Sequence, residues 1–99
     1  MLPKDLLEPL GLDALLVTRP ENVRYLSGFP HPEDAQVLVT GEGAFLLTDP
    51  RYPEAERESR IPAKVLRREE REALLKTLKG RVGFEAEHLP YAALERLRE

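Results

Sequence analysis

Three small groups of residues in this chain are of types that can do chemistry. His31, Glu33 and Asp34 share a loop with Pro30 and Pro32. An imidazole beside two carboxylates could hold a cation or an ammonium group. The same prolines prevent regular structure, so a solvated polar loop with no intrinsic metal site is the competing reading. Arg51 and Tyr52 follow Asp49-Pro50. Arg51 could pair bidentately with a carboxylate of a substrate or partner. Alternatively Asp49 caps the following turn, the Tyr52 ring packs and Arg51 lies on the surface. His88 sits near Glu85 and Glu87, a grouping suggestive of metal or acid–base work. If a strand runs through them, the two glutamates share one face and His88 points to the other. A single histidine there reads as a cap or a surface residue. Ser27 and Ser59 have no base and orienting acid in the pattern, so nucleophilic catalysis has no support. Gly41-Glu42-Gly43 is a hairpin turn and not a phosphate cradle, because no helix begins after it.

The chain must position these groups within one small domain of 99 residues. With 41% hydrophobic residues it can build a core despite 33% charged ones. There is no cysteine, which removes disulfides, thiolate metal sites and a thiol nucleophile. The net charge is −3, and Arg67-Arg68 is followed at once by Glu69-Glu70. No basic stripe therefore marks a nucleic-acid surface. No apolar run reaches membrane-spanning length and the N-terminus lacks a signal pattern, so a soluble cytoplasmic protein is expected. One Asn, one Gln and abundant Glu, Arg and Pro lean towards a heat-adapted source.

Leu6, Leu7 and Leu10 suit one face of a short first helix, with Pro3 in its first turn and Gly11 closing it. Residues 14–17 are uninterruptedly apolar, as a strand covered on both faces should be. Pro20 opens a helix with Val23 and Leu26 inward, ended by Gly28. Residues 37–40 and 44–48 are β-type runs joined by Gly41-Glu42-Gly43, an antiparallel hairpin. A helix over 53–60, a strand at 63–66, a helix over 68–79 with Leu74, Leu75 and Leu78 inward, and a strand at Val82 and Phe84 follow. A last helix starts at Pro90 and buries Tyr91, Leu94 and Leu97. The pattern predicts an α/β fold: a mixed sheet of about five strands, including one antiparallel hairpin, flanked by helices.

Several of these pieces, in order, resemble a known family. Residues 13–18, then Pro20-Glu21-Asn22-Val23-Arg24-Tyr25-Leu26-Ser27-Gly28-Phe29, then 38–40 through Leu47-Thr48-Asp49-Pro50-Arg51-Tyr52, then Val82-Gly83-Phe84-Glu85 are similar to the N-terminal domain of Xaa-Pro aminopeptidases, prolidases and creatinases. The similarity spans about residues 12–97. Pro50 stands where the family commonly has glycine, which implies a different local turn. The resemblance implies a single non-catalytic domain over 1–99. Two divalent metal ions, held by Asp, His and Glu ligands, would belong to a catalytic domain absent from these residues. It also implies homodimerisation and a part in covering the cleft that receives a proline-containing peptide. In the creatinase branch the loop holding His31 reaches a neighbouring subunit's substrate, so His31, Arg51 and Tyr52 become candidates for a cleft or interface. No catalytic or metal-binding residue and no cofactor are expected in the chain itself, and neither nucleic acid nor membrane is an expected partner. Two alternatives stand beside this reading: a stand-alone protein- or peptide-binding module of the same fold, and a small enzyme built on the acids around His31.

Overall fold

The computed structural model describes residues 7–85. Five strands form one mixed sheet in the order β4-β3-β2-β1-β5. They are β1 (Ala14–Val17), β2 (Gln36–Thr40), β3 (Gly43–Thr48), β4 (Ala63–Val65) and β5 (Val82–Phe84). The helices among the described residues are α1 (Pro20–Ser27), α2 (Ala55–Glu58) and α3 (Arg68–Lys76). β1 and β3 each pair antiparallel with β2, while β5 runs parallel to β1 and β4 parallel to β3. The expected architecture is the observed one.

The registers place Leu15 opposite Val39, and Val37 opposite both Val17 and Leu46. Alternation puts these residues on one face. There they form the main core with Val23 and Leu26 of α1, Phe29, Ala35 and Ala55. On the opposite face, Leu16, Leu38 and Leu47 form a second cluster against Leu66 and Leu74, Leu75 and Leu78. Both faces of β1 are therefore covered, and all four of its residues are buried. That is why its sequence does not alternate.

Several boundaries differ from those expected. Of the first helix, the described part is Leu7, which is α-helical, and a 3-10 turn at Glu8–Leu10 closed by the left-handed Gly11; Pro9 has no amide to donate to a regular helix there, and the earlier residues lie outside the described ones. The hairpin loop is Gly41-Glu42, because Gly43 already pairs with Thr40. The helix expected over 53–60 shrinks to α2. Its amides make short-range turn bonds, Ala55 N to Tyr52 O and Arg57 N to Glu54 O. Beyond it Arg60 N is drawn away to Ser27 O at 2.7 Å. α3 stops at Lys76 and not at 79, where the Thr77 amide and hydroxyl both turn back to Leu74 O, a competing local bond that ends a helix. At its start Glu70 accepts from Arg67 N at 2.9 Å. Arg67 has no side-chain acceptor to return the bond, so only half a capping box forms. The helix expected from Pro90 lies outside the described residues.

Candidate functional site

The loop after α1 and the turn after β3 meet at one end of the sheet. Thr48, the last residue of β3, donates its hydroxyl to Asp34 O at 3.0 Å, fixing the loop to the strand. Phe29 is fully buried and anchors the loop from below. Its ring meets those of His31 and Tyr52 edge-on, each at 5.6 Å between centroids. His31 and Tyr52 stack on one another at 4.9 Å and 27°. The three rings form one cluster held in preferred aromatic geometries. All three sequence candidates, His31, Arg51 and Tyr52, are thus neighbours, although 20 positions separate His31 from Arg51.

Polar bonds complete the arrangement. Asp49 Oδ1 accepts from the Arg51 amide at 2.9 Å, which makes the expected cap of the turn. The same carboxylate also grips the guanidinium in a fork, Nε at 2.9 Å and Nη2 at 2.6 Å. Arg51 Nη2 lies 3.3 Å from Asp34 Oδ1 as well, and its guanidinium carbon sits 5.5 Å from the Tyr52 ring centre. The bidentate partner of Arg51 is therefore a carboxylate of its own chain. Tyr52 donates its hydroxyl to Asp34 Oδ2 at 2.5 Å.

The titration tendencies follow from these contacts. The hydrogen bond from Arg51 lowers the Asp49 carboxyl, and Arg71 adds a smaller pull in the same direction. The bonds to Asp49, with Asp34 nearby, hold Arg51 firmly protonated. The hydrogen bond to Asp34, then burial, raises the Tyr52 phenol. Asp34 is the shared acceptor, yet sequence spacing gave no sign that it would join Tyr52, 18 residues away.

Other candidates resolve differently. Ser27 is buried and donates to Val23 O at 2.6 Å while accepting from Phe29 N; Ser59 accepts from Ile61 N. Both shape turns. Glu87 and His88 lie outside the described residues. Glu85 is buried to 3% exposure. It accepts from the amides of Thr18 at 2.7 Å and Arg19 at 2.6 Å and from the Asn22 side chain. Arg19 Nε approaches it at 4.0 Å. Glu85 caps the start of α1 from the far end of the sequence, a role invisible in any local pattern. Among the described residues no three His, Asp or Glu side chains converge as a metal-ligand set, and no helix is long and apolar enough to cross a membrane. A larger, mostly apolar cavity of about 750 Å³ lies among Tyr25, Leu26, Phe45 and Ile61 and shares no lining residue with the aromatic cluster.

A mixed five-stranded sheet with an aromatic–carboxylate cluster at one end defines a small α/β domain. Its residues 4–99 match the Creatinase/Prolidase N-terminal domain, and the chain belongs to that family. It is 33% identical over 92 residues to the Xaa-Pro dipeptidase of Pyrococcus horikoshii, covering 90% of this chain and 25% of that protein. The chain thus spans about a quarter of the length of this curated relative. The prolidase structure from Pyrococcus horikoshii superposes with a TM-score of 0.69 and 30% identity, over 97% of this chain and 28% of that one. The N-terminal domain of the cytoplasmic peptidase PepQ from Mycobacterium tuberculosis superposes with a TM-score of 0.68 and 29% identity, over 97% of this chain and 81% of that one.

Proposed function

We propose that the chain is the non-catalytic N-terminal domain of an Xaa-Pro dipeptidase- or aminopeptidase-like hydrolase, where it supports dimerisation and covers part of the substrate cleft. The match of residues 4–99 to the N-terminal family carries this reading, together with the 33% identity over a stretch that is 25% of an Xaa-Pro dipeptidase. Hydrolysis assisted by two metals needs converging carboxylates and imidazole in a dry cleft. Asp34, Asp49 and Glu85 are instead spent on arginine, tyrosine, the Asn22 side chain and backbone amides. The metal pair and the scissile peptide would then be held by a catalytic domain outside these residues, in a cytoplasmic enzyme. The cluster of His31, Arg51 and Tyr52 is the surface offered to that cleft. It is rigid because Phe29 supports it and Asp34 and Asp49 fix its polar ends.

A chimera tests the reading: this chain replaces the matching N-terminal segment of the Pyrococcus horikoshii Xaa-Pro dipeptidase. The chimera is expected to fold as a dimer and cleave Xaa-Pro dipeptides, while the 99-residue chain alone cleaves none. His31→Ala in the chimera should raise KM by about tenfold with a smaller change in kcat, as loss of a ground-state contact requires. A folded chimera indifferent to His31→Ala, or turnover by the chain alone, overturns the assignment.

A further inference from the structure

Asp34, Asp49, Arg51 and Tyr52 all have their polar groups taken up within the cluster at the end of the sheet. Arg51 is forked on Asp49 and shared with Asp34, and Asp34 also holds the Tyr52 hydroxyl. His31 is the exception. Its half-buried imidazole is held by ring contacts, stacked on Tyr52 and met edge-on by Phe29. Neither ring nitrogen bonds to a described residue, and neither is closed off from solvent. Each imidazole nitrogen is a donor or an acceptor, so His31 is the member of the cluster left open to a ligand's polar group. The backbone beneath it is fixed. Pro30 and Pro32 flank His31, which disfavours the α region for it, and the His31 carbonyl accepts from Asp34 N at 3.1 Å.

The side chain keeps two torsions of its own, and the two neighbouring rings limit them. Phe29 belongs to the core and supports one edge of the imidazole, while Tyr52 covers a face of it. Tyr52 is locked in turn by its bond to Asp34 and by the Arg51 guanidinium 5.5 Å from its ring centre. We propose that Tyr52 is a positioning residue: its ring, locked through Asp34, sets the plane of the His31 imidazole, and His31 carries the hydrogen bond to the peptide substrate. This rests on the cleft reading above and divides the roles within it. Arg51 and Tyr52 act through His31 and not on the ligand, because their donors are engaged by carboxylates of their own chain. An imidazole already held in one orientation loses little freedom when a ligand arrives, and that preorganisation appears as affinity. The contact is made with the bound peptide before any bond changes, so its loss falls on KM and not on kcat.

Two measurements test this together. In the 99-residue chain, proton NMR should find the His31 ring protons moved upfield by the ring current of Tyr52. That displacement should persist in Tyr52→Phe and collapse in Tyr52→Leu. In the chimera described above, Tyr52→Leu should raise KM about three- to tenfold with kcat within about twofold of the parent. Tyr52→Phe, which keeps the ring, should leave KM within about twofold. Joining Tyr52→Leu to His31→Ala should add nothing to His31→Ala alone, as residues acting one through the other require. The positioning role is overturned, and the cleft reading left standing, by a KM that responds to His31→Ala but not to Tyr52→Leu. Losses that add in the double variant, or a Tyr52→Phe variant as impaired as Tyr52→Leu, have the same consequence. Should Tyr52→Leu fail to fold, His31 ring protons at unstacked positions in the unsubstituted chain overturn the role without it. A KM indifferent to His31→Ala removes both readings.

Discussion

At the scale of single residues, Asp34 organises the candidate surface. It accepts the Tyr52 hydroxyl on one oxygen and faces Arg51 with the other. The neutral phenol is the form that can donate this bond, so the folded state raises the Tyr52 pKa. The resulting stabilisation is fully present below the ordinary phenol pKa of about 10 and is lost as pH rises through the higher folded value. Asp34→Asn removes the anionic acceptor. The Tyr52 ring, followed by NMR through an alkaline titration, should then ionise at a lower pH than in the unsubstituted chain. An unchanged midpoint would show that the bond is not formed in solution. Asp49 works in the opposite sense. Its carboxyl is lowered by Arg51, so its contribution is present above the usual carboxylate range and fades as pH falls through the depressed value.

At the scale of elements, α1 is held at both ends by residues distant in sequence. At its C-terminal end Gly28 adopts φ of 71°, a left-handed conformation that disfavours any residue with a β-carbon. A Cβ there would also stand 2.9 Å from Arg60 Nε. That side chain donates to Tyr25 O at 2.8 Å, so it is not free to retreat. Gly41, in the hairpin loop, has open space around it and no positive φ. Chemical denaturation should therefore find Gly28→Ala destabilised by roughly 1–2 kcal/mol and Gly41→Ala near neutral. Equal losses at the two sites would refute this account. The strands and hairpin were legible because burial on one or both faces leaves a periodic trace in 14–17, 37–40 and 44–48. The shortened α2 and α3 were not, since Arg60 and Thr77 end them through particular bonds that no periodicity records. Of the site, the sequence showed His31, Arg51 and Tyr52 as chemically capable, and the capping role of Asp49. Their convergence depends on β2 and β3 lying side by side, which brings the two segments together at one end of the sheet.

At the scale of the whole molecule, closure depends on β5 and the glutamate that follows it. Glu85 takes two backbone amides at the entrance to α1 and the Asn22 amide beside them. Its charge also lies at the favourable end of the helix. Glu85→Ala would strand buried donors, at a cost of about 1–3 kcal/mol for each one left unsatisfied. A loss of roughly 3 kcal/mol in unfolding free energy is expected, with faster hydrogen exchange at Thr18 and Arg19 than in the rest of the sheet. A variant as stable as the parent would remove Glu85 from this role. The fold class and the family follow from the order of elements, whereas this bond across 66 residues could be found only in three dimensions.

The pairing of β1 with β5 also bears on how the polypeptide is made. β1 leaves the ribosome well before its second neighbour in the sheet, β5, which is among the last described parts to be synthesised. Until then one side of β1 offers bare amides and carbonyls to any passing strand, a window in which a chaperone, or another unfinished copy, would find it open.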